Sequence, residues 1–390
     1  MRKEKIFTRD FWLIASVNLL VMTTYYSLMV TTAKFTTDQF HTSTSIAGLV
    51  IGITVIGILI ARFSSGYLTQ HFTTKKLLMT GTILLVPAMI LYHFTTSLAI
   101  LMAVRLLHGL AIGLISTVTN TAVVLLFPVE RRGEGISYFS LSTVLGTAVG
   151  PFLGLKLMQT VGFSTLFNVE IGFAIAALVI ATLINAEKIR FKKVQHNEPL
   201  TLAHFIEIKA MPIALLMFVV GLGYAAIQAY LSFYAGQLDL ATYASYFFLA
   251  YAFAALLSRP FTGRLLDAVG AKAVVVPTLL INAVGLAGVA WTHSSWGLLV
   301  SAFLIGLGFG NFQSVAQSIV AKKVPVKRLS QATATFFIFF DLSLGIGPFL
   351  LGLIEPAVGY SNLYLLTAIM VLACAIGYWL VSHFSKQATN

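Results

Sequence analysis

Long apolar segments recur along almost the whole sequence, and they limit what this chain can fold into more than any other feature. A helix needs about 20 apolar residues to cross the ~30 Å hydrocarbon core of a bilayer. Twelve windows of sufficient length are separated by short polar gaps. Mean hydropathy is +0.90, and only 10% of the residues are charged, unlike a soluble domain. The windows lie near residues 11–33, 45–68, 77–95, 98–122, 136–158, 164–186, 210–234, 242–262, 273–291, 296–320, 333–354 and 361–383.

The backbone decides the fold class. In hydrocarbon every backbone N–H and C=O group needs a partner inside the protein, which leaves helices and closed barrels. The windows are too long, and too free of strict alternation, for barrel strands. We therefore predict an all-α membrane protein with 12 transmembrane helices. The charged start MRKEKIFTRD is followed by an apolar run long enough to be a retained first span.

Basic residues predict the orientation of these helices. The chain has 25 Lys and Arg against 13 Asp and Glu, a net charge of +12. Nearly all basic residues precede the first window or follow even-numbered windows, whereas the other gaps hold only Lys34 and Lys156. This positive-inside pattern predicts that both termini are cytoplasmic in a plasma or inner membrane. Because topology accounts for the basic charge, we expect no nucleic-acid partner.

The sequence also contains an internal repeat. The longest polar gap follows the sixth window and predicts a first bundle at residues 1–186, a loop at 187–208 and a second bundle at 209–390. A shift of 197 residues matches the two halves without a gap across about ninety residues. It pairs Arg62 with Arg259, Gly66 with Gly263, Lys75 with Lys272, Gly109 with Gly306, Gly113 with Gly310, Pro128 with Pro325, Arg131 with Arg328, and GPFL at 150–153 with GPFL at 347–350.

Each half has six windows, so equivalent helices cross the membrane in the same direction. Such parallel repeats are related by an axis along the membrane normal. We therefore predict two six-helix bundles around a central cavity that opens to one side at a time. The alternative is that the duplication only produces a larger helix bundle, without a functional cavity.

The gap after the second window and its copy carry matched loop motifs. The first copy, RFSSGYLTQHFTTKK, contains Arg62, Gly66 and Gln70. The second, RPFTGRLLDAVGAK, contains Arg259, Gly263, Asp267, Gly270 and Lys272. The second copy resembles the pattern G-x-L-a-D-r-x-G-r-k of the major facilitator superfamily. In that family the acid helps to lock the cytoplasmic side, so the resemblance gives this role to Asp267; the first copy departs from it at Gln70.

The fourth window contains the segment LMAVRLLHGLAIG, which places Arg105, Gly109 and Gly113 on one helical stripe. It resembles the second motif of the same family. A buried arginine costs at least about 2.5–3.5 kcal/mol on insertion scales, so an unpaired arginine is not expected. Arg105 is either half of a fixed ion pair or a group that adjusts a nearby carboxylate. We expect His108 to be a hydrogen-bonded packing residue.

The fifth window contains three glycines and a proline within VLGTAVGPFLG, residues 144–154. Gly146, Gly150 and Gly154 recur every four residues and form a small-residue face on which another helix can pack closely. Pro151 removes one backbone hydrogen bond and permits a bend. The pattern resembles the antiporter motif of exporters in the superfamily. Plain helix packing is the alternative interpretation of the glycines.

Buried acids indicate the energy source. No GxxxxGK[ST] phosphate-binding loop is present, so ATP is not expected as the direct fuel. A carboxylate in a low-dielectric site favours its protonated form and is suited to carrying a proton. Asp341 in the eleventh window is the first candidate. Glu170 in the sixth window is the second, although it lies at a depth similar to that of Arg105 and would become a structural counter-ion if the two helices adjoin.

Polar and aromatic side chains within the windows are candidates for a substrate cavity. Such a lining favours amphipathic or aromatic compounds, including cations. Aromatic residues also serve as packing residues or interfacial anchors, and Trp379 at a span end is a predicted anchor. The cavity candidates are Tyr25, Tyr26, Asn120, Tyr224, Gln228, Tyr230 and Gln317.

The resemblance implies a secondary transporter of the twelve-span drug/proton antiporter group, exporting small organic molecules such as toxic compounds or a metal-chelating metabolite. A proton-coupled importer of a small nutrient is the alternative. We expect a monomer that contacts membrane lipids, substrate and protons, with no cofactor and no metal. An enzyme is not expected, because the eight histidines include no HExxH pair. A receptor without transport has no support in the sequence.

Overall fold

The computed structural model describes residues 7–127, 132–185, 206–325 and 328–387, and every regular element within them is a helix. This confirms the predicted all-α class. Short 3₁₀ turns lie at Tyr92–Phe94 and Ile208–Ala210, and a π-helical turn, Gly306–Gly310, joins α9 to α10. The α-helices are α1 (Arg9–Phe40), α2 (Thr44–His71), α3 (Thr74–Leu91), α4 (Leu98–Leu126), α5 (Arg132–Thr182), α6 (Met211–Gln237), α7 (Ala241–Val269), α8 (Ala271–Trp291), α9 (Ser295–Ile305), α10 (Asn311–Lys322) and α11 (Leu329–Gln387).

Ten helical segments of the described chain are long and apolar enough to cross a membrane. Two elements are much longer than one crossing requires: α5 has 51 residues and α11 has 59. Each contains a glycine with positive φ, 83° at Gly162 and 77° at Gly359. Glycine tolerates this conformation because it has no Cβ. Each element is therefore two helical stretches that meet at a glycine, and the two glycines are 197 residues apart, as in the repeat.

The chain divides into two compact units. The first unit comprises Met1–Thr42 and Val50–Asn197, and the second comprises Ser43–Leu49 and Glu198–Asn390. The first turns of α2 thus belong to the second unit, and the rest of α2 belongs to the first. In the first unit α1 packs mainly on α5, and in the second α11 packs mainly on α6 and α8.

The glycine face of α5 is the surface on which α1 packs. A Cβ added to Gly150 would lie 2.6 Å from the carbonyl oxygen of Thr23, and one added to Gly154 would lie 2.6 Å from Ser27 Oγ. Gly146 is in similarly close contact with α1. A larger side chain at these positions would separate the helices, so the absence of a Cβ sets how closely α1 and α5 approach.

A second close contact recurs in both units. In the first unit a Cβ on Gly109 of α4 would overlap the carbonyl oxygen of Thr54 in α2. In the second unit a Cβ on Gly306 would overlap the carbonyl oxygen of Tyr251 in α7. Both partners of the second contact lie 197 residues after those of the first. The sequence repeat is therefore present in the helix packing of each unit.

Glu207, just before α6, is tied to Arg328, which precedes α11, and to Thr335 in the second turn of α11. Arg328 Nη1 lies 3.1 Å from Glu207 Oε2, and the Lys209 N–H donates to Oε1 at 3.2 Å. The Glu207 N–H in turn donates to Thr335 Oγ1 at 2.9 Å. The backbone hydrogen bond from Lys209, together with the hydrogen bond from Arg328, lowers the pKa of the Glu207 carboxyl below its usual value.

Replacing Gly109 with alanine should lower the thermal stability of the purified protein by several degrees. Overpacking costs about 1–3 kcal/mol. Because the added Cβ would meet backbone atoms of Thr54 and not a flexible side chain, we expect this cost to outweigh the roughly 1 kcal/mol that alanine gains over glycine inside a helix. The measurement is the midpoint of thermal unfolding in detergent. Gly172→Ala is the matched control, because a Cβ on that glycine meets nothing within 4 Å. Equal midpoints for the two variants would contradict the close contact.

The Glu207 ion pair should make stability depend on pH. Because the carboxyl pKa is lowered in the folded protein, its contribution is fully present above the usual carboxyl range and is lost as pH falls through the lowered value. Glu207→Gln should therefore lower the unfolding midpoint at neutral pH, and the difference from wild type should shrink in acid. Asp38→Asn is the control, since Asp38 pairs with Lys34 on an exposed helical turn. A pH-independent difference would refute the assignment.

Candidate functional site

A buried polar cluster in the first unit is built around Arg105 of α4. The Arg105 side chain is 0% exposed. Its Nε donates to the carbonyl oxygen of Val50 at 3.3 Å, and Nη2 donates to that of Ile51 at 3.5 Å. Nη2 also lies 4.0 Å from Met29 Sδ of α1. The charge is therefore held by backbone carbonyls of α2, which are acceptable partners for a cation inside a membrane protein.

Tyr92 joins Arg105 to His108. The Tyr92 hydroxyl accepts a hydrogen bond from Arg105 Nη1 at 3.3 Å and lies 3.1 Å from His108 Nδ1. Since the guanidinium can only donate, the hydroxyl proton is available to His108 Nδ1, which assigns a neutral imidazole with its proton on Nε2. Nε2 has no hydrogen-bond partner in the described part of the chain. The tyrosine ring stacks on Phe167 at 5.2 Å between centroids.

Glu170 is buried in the same unit but is not the counter-ion of Arg105. The two side chains form no ion pair in the structure, so direct pairing, one of the interpretations of the sequence, is not found. Tyr92 interacts electrostatically with both of them. The hydroxyls of Thr24 and Ser27 in α1 face the Glu170 carboxyl. Within residues 7–127 and 132–185, however, Glu170 Oε2 has no partner in hydrogen-bonding geometry.

Asp341 lies in the second unit beside a stack of aromatic rings. Its side chain is 6% exposed on α11 and takes part in a polar or electrostatic contact. Tyr224 of α6 stacks on Phe309 at 4.4 Å and on Tyr251 at 5.5 Å between centroids. The ring centroid of Phe309 lies 6.3 Å from that of Phe340, the residue before Asp341. The stack thus reaches α11 next to the predicted coupling acid.

Gln228, another predicted cavity residue, adds polar atoms to this stack, whereas Tyr230 does not. Gln228 Nε2 donates to the Tyr224 hydroxyl at 2.8 Å, and Gln228 Oε1 has no partner among the described residues. Tyr230 differs, because its ring is fully buried and its hydroxyl donates to the carbonyl oxygen of Pro348. The hydroxyl of Tyr230 therefore serves helix packing in this structure.

The remaining cavity candidates lie on α1, α4 and α10. Tyr25 and Tyr26 are buried, with ring centroids 4.9 Å apart in an edge-to-face arrangement. Asn120 is exposed, and its Nδ2 donates to the Ser116 carbonyl oxygen at 2.7 Å. Gln317 is half-buried on α10.

The residues of the loop motifs lie where α2 ends and where α7 meets α8. Arg62 and Arg259 are half-buried, and Arg259 interacts electrostatically with Tyr251. Gly270, with φ 84°, is the single residue between α7 and α8, and Lys272 follows it in the first turn of α8. The side chains at four further predicted positions lie outside those that the structure describes: Gly66, Gln70, Gly263 and Asp267.

Sequence reasoning missed Tyr92, Tyr251 and Phe309. Tyr92 lies near the end of the third window, where tyrosine is typical of an interfacial anchor, so its position gave no sign of a buried network. Phe309 lies between the glycines of GLGFG, and Tyr251 is the repeat equivalent of Thr54, which contacts the matching glycine. The sequence repeat could have identified Phe309 and Tyr251 as candidates, because they lie next to or in contact with glycines that the repeat pairs. No group of three His, Cys, Asp or Glu residues suited to a metal ion occurs in the described ranges.

Solved transporter structures share this fold. The nucleoside transporter NupG matches 95% of this chain and 98% of its own, with a TM-score of 0.77 and 14% sequence identity. A transporter of the POT family, solved with a thioalcohol-conjugated peptide, matches 98% of this chain and 97% of its own, with a TM-score of 0.76 and 14% identity. At this identity the likeness concerns the fold alone.

Curated relatives are similar at low identity over most of the chain. The multidrug resistance protein MdtG of Serratia proteamaculans is 24% identical over 85% of this chain and 83% of its own length. The multidrug resistance efflux pump PmrA of Streptococcus pneumoniae is 23% identical over 83% of both. An uncharacterized transporter of Methanocaldococcus jannaschii is 24% identical over 84% of this chain and 87% of its own. The family model named Major Facilitator Superfamily matches residues 14–252 and 241–389, and the chain therefore belongs to this superfamily of multi-pass membrane transporters.

Proposed function

We propose that this chain is a proton-coupled exporter that moves small organic molecules outward by antiport with alternating access. The observation that carries the proposal is the contact of α5 with α1 through Gly146, Gly150 and Gly154, beside Pro151. Helices that touch through glycine can slide without repacking side chains, and the proline supplies a place to bend. Similarity to relatives named for multidrug resistance supports the same direction of transport.

We further propose twelve crossings, with both termini in the cytoplasm of a monomeric protein. The breaks at Gly162 and Gly359 support the number, since each divides an element far longer than the about 20 residues that one crossing needs. Division of α5 and α11 adds two crossings to the ten apolar segments. The positive-inside distribution of Lys and Arg supports the orientation.

Proton coupling is assigned to the buried acids, and their placement differs between the halves. The repeat equivalents of Arg105 and Glu170 are Ala302 and Thr367, and the equivalent of Asp341 is Val144. The first unit thus has a fixed positive charge near one acid, whereas the second has an acid beside an aromatic stack. We assign Asp341 as the group that gains and loses the proton, with Arg105 and Glu170 tuning the cycle from the first unit.

The aromatic stack supports the substrate class. Tyr224, Tyr251 and Phe309 form a buried cluster of stacked rings, and Gln228 Oε1 is an acceptor without a partner in the described residues. Ring faces attract aromatic compounds and organic cations, and a carboxylate at Asp341 would add to the attraction of a cation. A proton and a cationic substrate would then compete for the same acid, which is a direct way to couple their opposite movements.

Asp341→Asn should abolish proton-driven transport while leaving substrate binding detectable, because the amide retains the shape of the acid but cannot exchange a proton. The measurement uses inside-out membrane vesicles with an acidified lumen and the fluorescent aromatic cation ethidium. We expect wild-type vesicles to accumulate ethidium and the variant to bind it without accumulation. Asp239→Asn is the control, since Asp239 lies exposed in the turn after α6 and should transport normally.

Two outcomes of this experiment would overturn the proposal. Accumulation by Asp341→Asn at the wild-type level would remove the acid from the coupling mechanism. Loss of ethidium from preloaded wild-type vesicles on acidification of the lumen would reverse the direction and support the importer alternative.

Tyr92→Phe should destabilise the first unit, because it leaves an N–H of Arg105 and a nitrogen of His108 buried without a partner. The expected loss is about 1–3 kcal/mol, seen as a lower unfolding midpoint in detergent. Tyr138→Phe removes a hydroxyl from an exposed ring on α5 and is the control. A midpoint for Tyr92→Phe equal to that of the control would show that Arg105 is not held by this network.

A further inference from the structure

An open groove lies on the second unit between the start of α8 and the last part of α11. Its volume is about 380 Å³, and its walls are largely apolar. Two of its residues carry polar groups, the ammonium of Lys272 and the indole of Trp379. The indole is 44% exposed, so the groove is accessible from outside the bundle. The lining residues are Val269, Lys272, Ala273, Val276, Pro277 and Trp379.

The ammonium of Lys272 is positioned over the indole. Nζ lies 4.9 Å from the centre of the Trp379 ring. The His383 ring stacks on the same indole, with 5.4 Å between ring centroids and an angle of 5° between the ring planes. Within the described residues Lys272 makes no ion pair and no side-chain hydrogen bond. The ring face holds the cation in place but accepts none of its N–H groups in ordinary hydrogen bonds. The donors of Lys272 are thus oriented and available to an anion.

The repeat equivalent of this lysine in the first unit makes different contacts. Lys75, its equivalent in the first unit, donates to the carbonyl oxygens of Thr182 at 2.7 Å and Ile184 at 2.6 Å, where α5 ends. Trp379 occupies the position equivalent to Thr182. In the second unit α11 continues to Gln387, so the carbonyls at this level are engaged in the helix. The change of Thr182 to an indole and the longer helix together release the lysine from this capping role.

We propose that this groove binds an anionic phospholipid. The phosphodiester would accept hydrogen bonds from Lys272, and an acyl chain would lie along Val269, Val276 and Pro277. A lysine and a tryptophan at the end of a membrane-spanning helix are placed at headgroup level, where basic groups attract anionic lipids. The apolar walls are the reason for choosing a lipid over a free anion, because inorganic phosphate would gain nothing from them. The cation is the reason for choosing an anionic lipid over a zwitterionic one.

The test is lipid retention measured by native mass spectrometry on the full chain. Protein is reconstituted in nanodiscs of equal parts phosphatidylcholine and phosphatidylglycerol and then released into detergent. We expect wild type to retain phosphatidylglycerol preferentially and Lys272→Gln to reduce that retention by about fivefold, the effect of one basic residue near the membrane surface. Trp379→Leu should also reduce retention, because the ring that positions the ammonium is lost. Lys323→Gln, an exposed lysine after α10, and Trp296→Leu, an exposed indole on α9, are the matched controls.

Each result bears on the proposal. Loss of retention in both groove variants but neither control supports the site, provided that all proteins remain monodisperse with similar unfolding midpoints. Wild-type retention in Lys272→Gln and Trp379→Leu overturns it, as does equal loss in the controls. Displacement of the lipid by inorganic phosphate alone would identify a free-anion site and also overturn the commitment to lipid. Transport is not the readout, so failure here leaves the exporter proposal unaffected.

Discussion

The buried guanidinium of Arg105 organises the first unit, because its contacts join four consecutive elements. It is carried by α4 and donates to backbone carbonyls of α2, to the hydroxyl that follows α3, and toward the sulfur of Met29 in α1. Each carbonyl oxygen has two lone pairs, so Val50 and Ile51 can accept from Arg105 without giving up their helical hydrogen bonds. The cost of burying the charge is therefore offset without a carboxylate. Among the described residues, Glu170 accordingly forms no ion pair with Arg105.

Close approach of backbones makes these long-range contacts possible. Hydrocarbon provides no hydrophobic driving force between helices, so association depends on van der Waals contact and hydrogen bonds. Gly109 brings α4 against the Thr54 carbonyl of α2, one turn from the acceptors of Arg105. Gly154 brings α5 against Ser27, which faces the carboxyl of Glu170. The glycines therefore do more than permit packing, since they determine which polar groups come within reach of one another.

Periodic features of the sequence predicted the fold well, because they act through composition and spacing alone. Apolar length predicted an all-α chain, and the offset of 197 paired Gly109 with Gly306, which make equivalent contacts in the structure. The partner of Arg105 could not be predicted in the same way. Its acceptors are main-chain carbonyls, which every residue has, and the hydroxyl of Tyr92 lies at a window end where an anchor was the ordinary interpretation. A residue pattern identifies donors and charges, but the choice among many equivalent acceptors depends on helix rotation and tilt.

Positions that are the same in both units can be distinguished from positions that differ between them. Gly109 and Gly306 are retained because both units use the same helix crossing. Arg105 and Asp341, by contrast, have the apolar equivalents Ala302 and Val144, so the helix arrangement that the two units share does not depend on either charge. Each charge is thus specific to one unit, and ionisable side chains inside a membrane protein are costly and commonly mark functional positions. The presence of each charge in one unit alone supports the proposed roles of Asp341 in proton coupling and of Arg105 in tuning it.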